Sequence, residues 1–265
     1  MKYKLIATDM DGTLLNSSAE VSKRTKQAVQ KALDAGVLFV IATGRALPGM
    51  GMIADLHNED MPLIILNGAS VVMARSRKVL FKKYLDISLA KEAYELGLSR
   101  NIPMAIWTDA RLWISWECDR TNHYVRTYGV DLNIISDVDM LKDEGIYKVL
   151  WFGDQDSVIR YQNEMHEYFG KRLNSHSSWP TFLEFVSPDA DKGAAMAEIG
   201  RIYGIEKREM IAVGDSYNDI SMLKYAGLGV AMENAPDEIK AICNHVTLTN
   251  DNDGVAAVID KFILQ

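Results

Sequence analysis

Two carboxylates separated by one residue, Asp9 and Asp11, follow the run Lys4 to Thr8 and lead into Gly12 and Thr13. The run reads as a buried strand and Asp9 onward as the loop at its carboxyl end, where open α/β sheets bind ligands. Two more carboxylates, Asp215 and Asp219, lie in Gly214-Asp215-Ser216-Tyr217-Asn218-Asp219, directly after the apolar run Met210 to Val213. Hard oxygen ligands at strand ends suit Mg²⁺, which binds through few carboxylates and keeps places for water and phosphate. Lys192 sits where a helix opens, an unusual position for a cation because the helix dipole disfavours it, yet a lysine and a helix N-terminus together suit an anion. Thr43 and Gly44 end a third apolar run, so a hydroxyl and an amide could hold phosphate there. Each feature alone has a plainer reading: a turn at Asp9 or Thr43, a capping cluster at Asp215, a solvated lysine at Lys192.

The elements that must position these residues alternate. Ser22 caps a helix running to about Ala35, closed by Gly36, and Val37 to Ala42 is the next buried strand. A helical stretch is expected from Pro48, then a short strand Leu63 to Leu66 ending at Asn67-Gly68. From Ser70 two alternating runs, Val71 to Ala74 and Val79 to Lys83, read as a hairpin. Residues 86–187 have a different pattern of helices and strands and read as a separate α+β unit, entered through short connections near 84–86 and 187–190. A helix from Lys192 to about Tyr203, the strand Met210 to Val213, short strands Leu228 to Ala231 and Val246 to Leu248, and a closing helix Gly254 to Phe262 complete the first pattern. Alternating strands and helices imply parallel pairing. The expected fold is therefore α/β: a doubly wound, Rossmann-like parallel sheet core, 1–85 and 188–265, with an inserted α+β cap domain, 86–187.

Composition bounds the partners. The chain has 265 residues, 48% hydrophobic and 25% charged, within the ordinary globular range. Its net charge of −7 is carried by the middle: residues 86–190 hold 10 Lys/Arg against 17 Asp/Glu, and the flanks hold 19 of each. Such a segment repels a phosphate backbone, so nucleic acid is not an expected partner. The longest apolar runs fall far short of the roughly 20 residues of a membrane span, so no membrane partner is expected. Met1-Lys2-Tyr3-Lys4 lacks a signal peptide's apolar region, and two cysteines make no disulfide framework, which together imply a cytoplasmic protein. Oligomeric state is not readable.

Taken together, the Asp9-x-Asp11-Gly12-Thr13 motif, Thr43, Lys192 and the Asp215 to Asp219 segment resemble, in order, the four motifs of the haloacid dehalogenase superfamily. Only residues 12–42 separate Asp11 from Thr43, and the large insertion follows Thr43, which resembles the Cof-type subclass with a C2 cap. The resemblance implies that Asp9 is the nucleophile and Asp11 the general acid and then base. It implies phosphate contacts from the Met10 amide, Thr43, Gly44, Lys192 and Asn218. It also implies a Mg²⁺ site on Asp9, Asp11 and Asp215, with Asp219 acting behind them or through water. Arg45 is a candidate of equal weight as a site or surface residue. The implied activity is a Mg²⁺-dependent phosphatase acting on small phosphorylated metabolites, chiefly sugar phosphates, through an aspartyl-phosphate. A phosphosugar mutase is the alternative enzyme and a phospho-acceptor sensor the non-enzymatic one, though retention of Asp11 speaks against a sensor. His123, His166 and His176 lack metal-ligand spacing, and the five tryptophans, all in the middle segment, read as its core.

Overall fold

The computed structural model describes residues 2–48, 50, 56 and 60–265 of the chain; the helical stretch expected from Pro48 lies outside them. In chain order the elements are β1 (Leu5–Asp9), α1 (Lys23–Asp34), β2 (Leu38–Ala42), β3 (Pro62–Ile65), β4 (Ser70–Met73), β5 (Val79–Lys82), α2 (Ile87–Ser99), β6 (Met104–Thr108), β7 (Leu112–Ile114) and α3 (Asp119–Tyr128). They continue with β8 (Ile146–Phe152), α4 (Gln155–Phe169), β9 (Asn174–Trp179), β10 (Phe182–Val186), α5 (Lys192–Tyr203), β11 (Met210–Gly214), α6 (Ile220–Tyr225), β12 (Leu228–Ala231), α7 (Asp237–Ala241), β13 (His245–Val246) and α8 (Gly254–Phe262). Two compact units result, one of residues Met1–Lys82 with Asp191–Gln265, the other of Lys83–Ala190.

The first unit is an α/β sheet in the order β13-β12-β11-β1-β2-β3-β4-β5. Pairing is parallel from β13 to β3 and antiparallel only at the β4 and β5 edge. Central strands are buried on both faces, which is why β1, β2 and β11 read as unbroken apolar runs rather than alternating ones. Ala7, Val40, Ala42 and Ala212 pack against Ala195, Met196 and Ile199 of α5 on one face. The Ser22 side chain accepts from the Thr25 amide, so the predicted cap of α1 is present. Asp9 is the last residue of β1, not the first of the loop, because it still pairs with Ala42 of β2. Carboxyl ends of β1, β2, β3 and β11 therefore meet along one edge, the position that strand polarity dictates for a ligand site.

The second unit is an antiparallel sheet in the order β7-β6-β8-β10-β9. Met104, Ile106, Val149, Trp151, Leu183 and Phe185 pack with Ala90, Ala93, Met165 and Phe169 of α2 and α4. Trp151 is buried and its indole donates to the Ala93 carbonyl at 3.1 Å. Trp107 is also buried and donates to the Tyr124 hydroxyl at 2.9 Å, within an aromatic group that includes Tyr128, Phe152 and Phe182. His123 and His166 are exposed. No helix among the described residues is long and apolar enough to cross a membrane.

Candidate active site

Carboxylates from two strand ends converge. Asp9, from the end of β1, meets Asp215 and Asp219, from the loop after β11, and one ligand oxygen from each lies within 4.8 Å of the others. Parallel pairing of β1 with β11 brings them together, since Thr8 stands beside Val213 in register. Lys192, the first residue of α5, is fully buried and its ammonium donates to Asp9 Oδ1 and Asp219 Oδ1, both at 2.6 Å.

The remaining carboxylate oxygens are not equivalent. Asp219 Oδ2 accepts from the Asp215 and Ser216 amides, both at 3.0 Å, so Asp219 is tied to its own loop on one side and to Lys192 on the other. Asp215 Oδ1 accepts from the Thr13 hydroxyl at 2.5 Å. Asp9 Oδ2 and Asp215 Oδ2 have no hydrogen-bond partner among the described residues. Three carboxylates face one ammonium, a formal excess of two negative charges at a largely buried place. The residues thus fit a divalent cation: hard oxygens, two of them uncommitted, and a charge deficit of the right sign and size.

The electrostatics agree. Burial raises the Asp9 carboxyl well above the usual carboxylate range; the Asp219 and Asp215 charges add to this, and Lys192 opposes it. Asp215 is pushed up to about 6, mainly by burial, with the Thr13 hydroxyl opposing. Burial works against the Lys192 charge, but Asp219 and Asp9 outweigh it and hold the ammonium protonated.

Asp11 lies apart from this cluster. Its carboxylate takes a bidentate pair from Arg45, Nε to Oδ2 at 3.0 Å and Nη2 to Oδ1 at 2.6 Å. Arg45 therefore has a definite partner at the site, which its sequence context left undecided. Thr43 is buried, with its hydroxyl accepting from the Arg45 amide at 3.1 Å, and Gly44 follows it. The helix N-terminus that the sequence offered to an anion is already capped: Asp191 accepts from the Ala194 amide at 2.8 Å, and the Gly193 amide donates to Ser221 at 3.0 Å. What α5 brings to the site is the Lys192 ammonium. Asn218 donates to Asn67 Oδ1 at 3.0 Å and accepts from the Ser216 hydroxyl at 3.1 Å. Asn67 was not singled out as a site residue; its only sequence signal was an Asn-Gly pair after a buried strand.

Comparisons with known proteins give the family. The sequence profile of the haloacid dehalogenase-like hydrolases matches residues 6–259. The chain is 32% identical to the 5-amino-6-(5-phospho-D-ribitylamino)uracil phosphatase YwtE of Bacillus subtilis (strain 168), over 98% of each chain. It is 33% identical to the phosphatase of the same name, YcsE, from the same organism, over 98% of this chain and 96% of that one. A haloacid dehalogenase-like hydrolase from Bacteroides thetaiotaomicron superposes with a TM-score of 0.85 at 29% identity, covering 99% of this chain and 100% of that one.

Proposed function

We infer the reaction from one premise: this chain belongs to the haloacid dehalogenase-like hydrolase family and is a phosphatase. We propose that it hydrolyses small phosphorylated metabolites of the sugar or polyol class, with Mg²⁺, through an aspartyl-phosphate on Asp9. The observation that carries this reading is the convergence of Asp9, Asp215 and Asp219 around the single buried ammonium of Lys192.

Asp9 attacks phosphorus as the bond to the leaving oxygen breaks. Lys192 anchors Asp9 Oδ1 and so fixes the rotation of the carboxylate toward its target. Asp11 gives its proton to the leaving alkoxide, then takes one from the water that attacks the phosphoenzyme and releases Asp9. The paired guanidinium of Arg45 holds the plane of Asp11. Thr43, the amides of Met10 and Gly44, and Asn218 bind the phosphoryl oxygens. Mg²⁺ would be held by Asp9 and Asp215, with Asp219 fixing the loop and Asp11 committed to Arg45 through both oxygens, and would neutralise charge on the phosphoryl oxygens. Selectivity among leaving groups belongs to the inserted unit, because the motif residues address only the phosphoryl group that all substrates share.

Two relatives are named for a phosphorylated ribityl compound, which places an open-chain polyol phosphate beside sugar phosphates on the test panel. Phosphate release should be measured across hexose, pentose and ribityl phosphates with Mg²⁺ and again in excess chelator. Turnover of at least one carbohydrate phosphate, lost on chelation, is expected. Hydrolysis confined to non-carbohydrate phosphates would overturn the substrate class, and full activity in chelator would overturn the metal.

A further inference from the structure

The backbone immediately after β3 is unusual. Leu66, Asn67 and Gly68 are three consecutive residues with positive φ, 53°, 55° and 97°. Glycine takes that region freely and asparagine tolerates it, but for leucine it is strained. Such a conformation persists only where the surroundings over-determine it, and here they do. The Leu66 amide donates to the Arg45 carbonyl and the Asn67 amide to the Thr43 carbonyl, both at 3.0 Å. At Gly68 a Cβ would lie 2.2 Å from the Asp191 carbonyl oxygen and 2.8 Å from the Lys192 nitrogen, so the loop rests directly on the start of α5.

The strained turn places the Asn67 side chain, which is 5% exposed, among the motif residues. Its Oδ1 accepts from Asn218 Nδ2 at 3.0 Å, across 151 residues of chain. A Cβ on Gly44 would lie 2.9 Å from the same oxygen. One short turn therefore touches the Thr43 loop through backbone, the Lys192 helix through Gly68, and Asn218 through a side chain.

We propose that Asn67 is a positioning residue for phosphoryl transfer. It holds Asn218 and the Thr43-Gly44 loop in one fixed frame around the phosphoryl group, and the left-handed turn exists to deliver it there. The proposal rests on the phosphatase reading above, in which Thr43, Gly44 and Asn218 bind the phosphoryl oxygens. Without the Asn67 amide, Asn218 keeps, among the described residues, only the Ser216 contact on its other end and can turn away.

The test is a double-mutant cycle between Asn67→Gly and Asn218→Ala, with 4-nitrophenyl phosphate as substrate and inorganic phosphate as competitive inhibitor. Glycine suits the left-handed backbone, so Asn67→Gly removes the amide without adding strain. Asn67→Gly should lower kcat by about tenfold to a hundredfold with little change in KM and weaken inhibition by inorganic phosphate, as expected of a small misplacement of binding groups. The double variant should be no slower than Asn218→Ala alone, because both substitutions break the same unit. The side-chain amide resonance of Asn218 should shift in Asn67→Gly. Losses that multiply in the double variant, or an Asn218 resonance unmoved by Asn67→Gly, would overturn the proposal. Absence of phosphate release by the wild type would instead overturn the phosphatase reading, and the Asn218 resonance would still decide whether Asn67 holds that side chain.

Discussion

Each unit of the molecule buries a lysine, and the two lysines are not in the same situation. In the second unit Lys148 of β8 is 2% exposed and donates to Glu184 of the neighbouring strand β10 at 2.7 Å. One cation meets one anion, and His176, with Nε2 3.7 Å from Glu184, stands at the partially exposed margin. In the first unit Lys192 meets two carboxylates at 2.6 Å, with a third close by. A buried pair that cancels is complete, and its role is to hold strands in register. A buried group that does not cancel needs a further charge from outside, and sites that bind cations and phosphate are built that way. Residue type and burial are alike at the two lysines; charge balance separates them.

The largest effect that would break this contrast is at Asp9. Asp9→Asn keeps the shape and the Lys192 contact, and turnover should fall by about 10⁴-fold or more with thermal unfolding little changed. Activity within tenfold of wild type would remove Asp9 from the mechanism. Lys148→Met should do the reverse. Taking the Lys148 ammonium from a buried carboxylate costs about 3 kcal/mol or more of stability, whereas turnover of 4-nitrophenyl phosphate below the unfolding temperature should stay within about threefold. Adding Glu184→Leu should restore most of the loss, because an apolar pair of similar volume replaces the ion pair. A Lys148→Met variant of normal stability would contradict the structural reading of that pair.

A smaller effect follows from Asp215. Its carboxyl, near 3.9 in an unfolded chain, is raised to about 6 in the folded one, so over that interval the folded state binds more protons. That contribution is fully present below about pH 4 and is lost as pH rises through 6. In chelator, stability from this group therefore declines between those values, and Mg²⁺, which favours the ionised carboxylate, should raise Tm by a few degrees at pH 7 and hardly at pH 4. Asp215→Asn should flatten both dependences. A Mg²⁺ shift that is the same at both pH values, or that survives Asp215→Asn, would count against Asp215 as a ligand. The balanced Lys148 and Glu184 pair predicts no such response in the second unit.

Much of the contrast is legible in the sequence. Asp9, Thr43 and Asp215 announce themselves because each interrupts an apolar run, and a parallel sheet must gather its strand ends on one edge. Lys148 lies in an otherwise apolar strand, β8, and nothing local in the sequence names Glu184, 36 residues on, as its partner. The same blindness to distance hid the pairing of Arg45 with Asp11 across 34 residues and of Asn67 with Asn218 across 151. Capping of α5 by Asp191 and the Ser221 contact are not legible in the sequence, because they depend on side-chain direction and on a separate loop. Backbone strain at Leu66 was invisible, since no sequence pattern predicts a leucine with positive φ.

The smallest expected effect uses the two cysteines, one per unit, as reporters of the same imbalance. Burial, with the Asp219 charge adding, pushes the Cys243 thiol up to about 11. At Cys118, the residue before α3, burial acts in the same direction but is outweighed by hydrogen bonds from Thr121 and the local amides, so the thiol lies below its ordinary value. The thiolate is the species that alkylates, and at pH 8 it is far scarcer at Cys243. The higher intrinsic nucleophilicity of a more basic thiolate offsets part of this, leaving Cys118 about tenfold faster or more with iodoacetamide. Because part of the Cys243 shift comes from Asp219, a divalent cation in the carboxylate cluster should compensate that charge and speed alkylation of Cys243 by less than about threefold. Cys118, in the unit whose buried charges already cancel, should not respond. Site-resolved alkylation rates by mass spectrometry, with Mg²⁺ and with chelator, make the comparison. An equal response at both cysteines would mean that the cation acts on the whole protein and not on an unbalanced cluster in one unit.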